Sequence, residues 1–130
     1  MTVTALKELV MRQLGEDVDD VLERAALLDV YLERGYQLIM DKRKGGNLTG
    51  VKALATENLL PDWAHSAIAD YATYRILLTG NGTKQQRAQA FYASYGETLS
   101  KLLTEADEAA LTEAEANTGV RSLGFKNLYT

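Results

Sequence analysis

Leu60 to Tyr95 reads LPDWAHSAIADYATYRILLTGNGTKQQRAQAFYASY. Two runs with apolar residues at helical spacing flank one Gly-Asn-Gly joint, the pattern of two antiparallel helices. Pro61 suits the first helical position, where no N–H is needed. Asp62 adds favourable charge to the first turn. Trp63, Ala67, Tyr71, Tyr74 and Leu78 fall on one face, flanked by Ala64, Ile68 and Leu77. Gly80 ends the run, and Asn81 and Gly82 complete the turn. Thr83, with Gln86 three residues on, reads as a capping box for the next helix. Ala88, Phe91, Tyr95, Leu99 and Leu102 point inward from it. Strong helix formers carry this helix through Glu105 to Ala116, where the apolar stripe weakens. That stretch is expected to extend beyond the bundle.

Working back from Leu60, Gly45 to Leu60 is the one non-helical stretch of the body. Gly45, Gly46, Asn47 and Gly50 mark a flexible loop, within which Val51 to Thr56 reads as a short extended piece. Before it lies a helix expected from Asp17 to about Lys44. Asp17, Asp19 and Asp20 suit its N-terminal end, and Lys42, Arg43 and Lys44 its C-terminal end. Its stripe is Val21, Ala25, Leu28, Leu32, Tyr36 and Ile39, widened by Leu22, Leu27, Val30 and Met40. Gly35 costs up to about 1 kcal/mol inside a helix, which close approach of a neighbouring helix would justify. The first helix spans about Thr4 to Leu14, with Leu6, Leu9, Val10 and Leu14 inward and Gly15 at its end. The expected fold is all-α: a small antiparallel bundle of about four helices. Residues 1–116 form the helical domain with its loop at about 45–60, and residues 117–130 an extended C-terminal arm.

Composition narrows the function classes. The 130 residues are 46% hydrophobic and 25% charged, ordinary for one packed domain. A net charge of -4 argues against a nucleic-acid binder with a broad basic surface. With no cysteine, disulfides, thiol catalysis and thiolate metal sites are excluded. Met1 to Leu14 has no charged region followed by an apolar run, so it is not read as a signal peptide. No apolar stretch approaches the roughly 18 residues of a transmembrane helix.

The residues offer little for catalysis. His65 is the one histidine, and neither Asp62 nor Asp70 stands at a recognised spacing from it. It is read as a helix-surface or interface residue. Ser66, Ser94 and Ser100 lack a nucleophile-elbow context. Asp17, Asp19 and Asp20 resemble part of a calcium loop but miss its glycine and terminal Glu. Glu105, Asp107, Glu108, Glu113 and Glu115 read as a solvated helix face. Gly80 to Lys84 lacks the order of a phosphate loop. No cofactor and no enzymatic activity are expected. Trp63, Tyr71, Tyr74, Phe91, Tyr92 and Tyr95 read as an aromatic core between two helices, with some hydroxyls at a subunit interface. The arm reads as a segment that orders on a partner. Phe125 and Tyr129 are its anchors, Arg121 and Lys126 find acidic groups, and Val120, Leu123 and Leu128 add apolar contacts.

Several of these stretches resemble the head–tail connector, or head-completion adaptor, family of tailed bacteriophages. Leu6 to Leu9, Leu14-Gly15, Asp19-Asp20, Leu28 and Leu32 are similar to that family's opening helix pair. Leu60 to Ala64, Ala69 to Ala72, Tyr74-Arg75, Lys84 to Ala88 and Phe91-Tyr92 resemble its core hairpin. The resemblance covers about Leu6 to Leu103. The Ala/Glu-rich extension and the Gly-rich loop depart from it. It implies a homo-oligomeric ring, usually of twelve copies, seated below the portal protein in the virion. Such a ring extends the channel for double-stranded DNA, which passes without sequence-specific binding, and offers a docking surface to neck or tail completion proteins. The chain would be made in the host bacterial cytoplasm and would have no membrane role. Val120, Arg121, Leu123, Phe125, Lys126, Leu128 and Tyr129 become portal-contact candidates. Lys44, Asn47 and Lys52 become candidates for the lumen or the tail side. Trp63, Tyr71, Tyr74, Phe91 and Tyr95 are assigned to the core or a subunit interface. A helical regulatory or DNA-associated binding module is the alternative. A small enzyme or ligand-binding bundle around His65, Tyr71 and Tyr74 is a third possibility.

Overall fold

The computed structural model describes residues 1–15 and 27–118. Among the described residues four α-helices make up the body and no strand occurs: α1 (Val3–Leu14), α2 (Leu28–Arg43), α3 (Ser66–Leu78) and α4 (Gly82–Thr118). A 3₁₀ turn, Asp62–Ala64, precedes α3. The expected all-α bundle is therefore the observed one. The arm, 117–130, lies outside the described residues beyond Thr118, as does the expected helix start at Asp17.

Thr2 caps α1 by accepting from the Ala5 N–H at 3.1 Å, and Leu6, Val10 and Leu14 are fully buried below it. Gly15 closes the helix at φ 57, a conformation that costs a side chain but not glycine. α2 buries Leu28, Leu32, Tyr36, Ile39 and Met40. It starts at Leu28, with Leu27 outside helical geometry at φ -94, ψ 8, so the uninterrupted helix expected through Leu27 is not formed. Leu27 is exposed, and burial does not hold it in register. At the other end, the Gly46 N–H bonds to the Asp41 carbonyl and the Gly45 N–H to Lys42, with Gly45 at φ 64. That pair of bonds is a Schellman cap, and it satisfies carbonyls the helix leaves free.

α3 is the central helix and packs against α1, α2 and α4. Ala67, Ile68, Ala69, Tyr71, Ala72, Thr73, Ile76 and Leu77 are all buried, so it lacks the single inward face expected of it. Small side chains at Ala67, Ala69 and Ala72 let three neighbours approach at once. α3 and α4 form the expected hairpin, in which Tyr71 meets Tyr95, Tyr74 meets Tyr92, and Asp70 meets Ser94. The cap of α4 is Asn81, which accepts from the Lys84 N–H at 3.3 Å, not the expected Thr83–Gln86 box. Asn caps as well as Thr, and the helix begins before Thr83.

The loop between α2 and the 3₁₀ turn is tied to the core. Leu54 and Leu60 are buried in it, and Leu48 and Val51 pack against it. The Leu54 N–H donates to Glu33 Oε1 at 2.9 Å, and the Leu59 N–H to the Tyr36 hydroxyl at 3.1 Å. Val51 to Thr56 ends in a turn over Leu54–Thr56 and is not an extended piece. These side-chain acceptors take the backbone donors that a strand partner would have satisfied.

Candidate functional site

The α3–α4 hairpin and α2 bring five tyrosines and one arginine together. Tyr71, Tyr74 and Arg75 come from α3, Tyr92 and Tyr95 from α4, and Tyr31 from α2. Ring centroids lie 5.5 Å apart for Tyr71–Tyr95, 4.7 Å for Tyr74–Tyr92 and 5.9 Å for Tyr92–Tyr95, all tilted. Arg75 donates to the Tyr71 hydroxyl at 2.8 Å. Its guanidinium carbon stands 5.1 Å from the Tyr31 ring centroid and 5.8 Å from that of Tyr71, within cation–π range. Among the described residues no carboxylate pairs with Arg75.

Exposure is graded across this surface. Tyr71 and Tyr95 are buried, Tyr31, Tyr74 and Arg75 are half-buried, and Tyr92 is 47% exposed. Burial pushes the Tyr95 hydroxyl up in pKa, and the neighbouring Tyr71 and Tyr92 add to the effect. The inner rings fix the outer ones. An aromatic surface with a guanidinium at its centre has the composition of protein-recognition hot spots.

The other assigned aromatics divide. Phe91 is half-buried beside the core. Trp63 is 40% exposed and carries Lys101 Nζ 4.6 Å from its ring centroid, so it is a surface residue and not part of the buried face. Of the loop candidates, Lys44, Asn47 and Lys52 are exposed, and Asn47 Oδ1 accepts from the Thr49 N–H. Lys44 lines a shallow cleft of about 320 Å³ with Met40, Arg43 and Leu59. The arm candidates Val120, Arg121, Leu123, Phe125, Lys126, Leu128 and Tyr129 lie outside the described residues.

His65 is buried, contrary to its reading as a surface residue. The Met1 backbone nitrogen donates to its Nδ1, so Nε2 carries the proton and donates to the Leu60 carbonyl at 2.8 Å. Both ring nitrogens are occupied, and neither serves a group held by Tyr71 or Tyr74. The Asp62 carboxylate is exposed and 4.0 Å away.

A second cluster is polar and gathers around Asp70. Asp70 is buried and accepts from Gln13 Nε2 at 2.8 Å and from the Ser94 hydroxyl at 2.9 Å. The Thr73 hydroxyl donates back to Gln13 Oε1, and Arg87 donates to the Gln13 carbonyl at 2.8 Å. Burial pushes the Asp70 carboxyl above the usual carboxylate range, and the bonds from Ser94 and Gln13 pull it partly back. The cluster joins α1, α3 and α4. Its sequence signal is an acid set among Ala69, Tyr71 and Ala72. The signal for Arg75 is its i,i+4 spacing from Tyr71.

Among the described residues no group of three or more His, Cys, Asp or Glu side chains is placed to hold a metal ion. No described helix is long and apolar enough to cross a membrane. Comparison with known proteins finds no matching family model, curated protein or solved structure.

Proposed function

We propose that this chain is a structural assembly protein, a head–tail adaptor of a tailed bacteriophage that sits on the portal as a ring of identical copies. The observation that carries this is the Tyr/Arg surface of Tyr31, Tyr74, Arg75 and Tyr92, which is organised from beneath yet left partly open. Rigid amphipathic rings around a guanidinium bind protein surfaces at low conformational cost. Further support comes from the helical hairpin, which carries the residues resembling the adaptor family. A net charge of -4 suits a channel wall that offers few anchors to DNA phosphates.

In this proposal the chain acts in the virion at the head–tail junction, with the portal, neck or tail completion proteins and passing DNA as neighbours. The segment Val120 to Tyr129 reaches the portal. The test is cosedimentation of isolated portal rings with the full chain and with a chain lacking residues 117–130. The full chain is expected to sediment with the portal and the shortened chain to stay behind, although its unfolding midpoint is unchanged. A full chain that never sediments with portal at any salt concentration contradicts the proposal.

A further inference from the structure

α4 is far longer than its partner in the hairpin. Trp63, just before α3, already lies against Lys101, and α4 continues to Thr118, a further length of about 25 Å. Within that continuation the sequence places Glu105, Asp107, Glu108, Glu113 and Glu115, and no Lys or Arg. The Tyr/Arg surface carries the opposite charge. Arg75 has no carboxylate partner among the described residues, and Arg34 is exposed on α2, three residues after Tyr31.

One molecule cannot bring these two features together. Tyr92 and Glu105 stand on the same continuous helix, about 20 Å apart along its axis. An unbroken helix does not fold back on itself, so the acidic stretch reaches a Tyr/Arg surface only on another copy. A contact between two different surfaces of like subunits is heterologous, and it closes into a ring when its rotation permits.

We infer that the Tyr/Arg surface of one copy receives the acidic second half of α4 from another, head to tail. Arg75 and Arg34 meet the carboxylates, and Tyr31, Tyr74 and Tyr92 pack against the helix. This contact rests on the adaptor reading for its purpose, since it supplies the link between neighbouring subunits in a ring.

Sedimentation of the full chain up to millimolar concentration tests it, using a surface variant and a helix variant. The surface variant is Arg75→Gln, paired with Arg34→Gln/Tyr92→Ala at exposed positions to guard against misfolding. The helix variant is Glu108→Gln/Glu113→Gln/Glu115→Gln, which keeps good helix formers. The native chain is expected to self-associate, less so at high salt. Each variant alone should lose at least about tenfold in association. Mixing a surface variant with the helix variant leaves one intact surface and one intact helix, so the mixture should form a dimer and stop there. A native chain that stays monomeric, variants that associate like the native chain, or a mixture that stays monomeric overturns the inference. Portal binding separates the two ideas. Lost self-association with portal binding retained leaves the adaptor reading standing, whereas self-association without portal binding removes the adaptor reading alone.

Discussion

Gly35 on α2 lies directly against Tyr71 on α3. A β-carbon at Gly35 would stand 2.9 Å from Tyr71 Cδ2 and 3.2 Å from its Cβ and Cγ. The two helices meet where α2 has no side chain, and this contact seats the ring from which the Tyr/Arg surface is built.

Gly35→Ala therefore sets two effects against each other. Helix propensity alone favours Ala by up to about 1 kcal/mol. The contact opposes it, because Tyr71 is held by Arg75 and packed against the tilted ring of Tyr95 and cannot swing aside. Overpacking of this kind costs about 1–3 kcal/mol. Urea denaturation should show a net loss of stability, and a gain would mean that the helices are not in contact there.

Asp70 predicts a pH dependence. Its pKa in the folded chain is raised, chiefly by burial. Below the ordinary carboxylate value of about 3.9 both states keep the proton and Asp70 has no effect on stability. As pH rises from there to the folded pKa, the unfolded chain releases its proton first and stability falls; above that point the loss is constant. Asp70→Asn should remove this slope, with the amide oxygen still accepting from Gln13 and the Ser94 hydroxyl turned to accept. Asp70→Ala takes the acceptor from Gln13 Nε2 and from the Ser94 hydroxyl and should cost about 1–3 kcal/mol at neutral pH. Equal slopes for the native chain and Asp70→Asn in acid denaturation would contradict this.

Tyr95 gives the matching prediction in alkali. With its folded pKa raised, the unfolded chain ionises first above about pH 10, and stability falls as pH rises. Tyr95→Phe should flatten that limb of the stability profile, read by denaturation midpoints across alkaline pH.

Tyr36 and Glu33 tether the loop. Tyr36→Phe removes the acceptor for the Leu59 N–H and should cost about 0.5–1.5 kcal/mol. Glu33→Ala frees the Leu54 N–H. Hydrogen exchange should accelerate at Leu59 in the first variant and at Leu54 in the second, while amides of α3 keep their protection. Unchanged exchange at both sites would mean that these bonds do not hold the loop.

Much of the fold is legible in the sequence because local rules act alone there. Leu6, Val10 and Leu14 keep a strict helical step, Gly15 supplies the stop, and the placement of Gly35 anticipates a close neighbour. Trp63 shows where such rules fail. Counting back from Ala67 at the α-helical step puts it inside, but Asp62–Ala64 is a 3₁₀ turn with three residues per turn, which rotates Trp63 outward. α3 defeats a one-face reading because three helices surround it. His65 is buried by the approach of Leu60 and Met1, contacts that no spacing on its own helix reveals. Tyr71, Tyr74 and Tyr95 are legible as a group, but the part of Arg75 and Tyr31 depends on α2 crossing α3.

The most direct test of the proposed assembly role is electron microscopy of portal rings incubated with the full chain. The expected image is a portal with an added annulus of identical copies, each touching the next, around an open channel. Bare portals at saturating protein would contradict it.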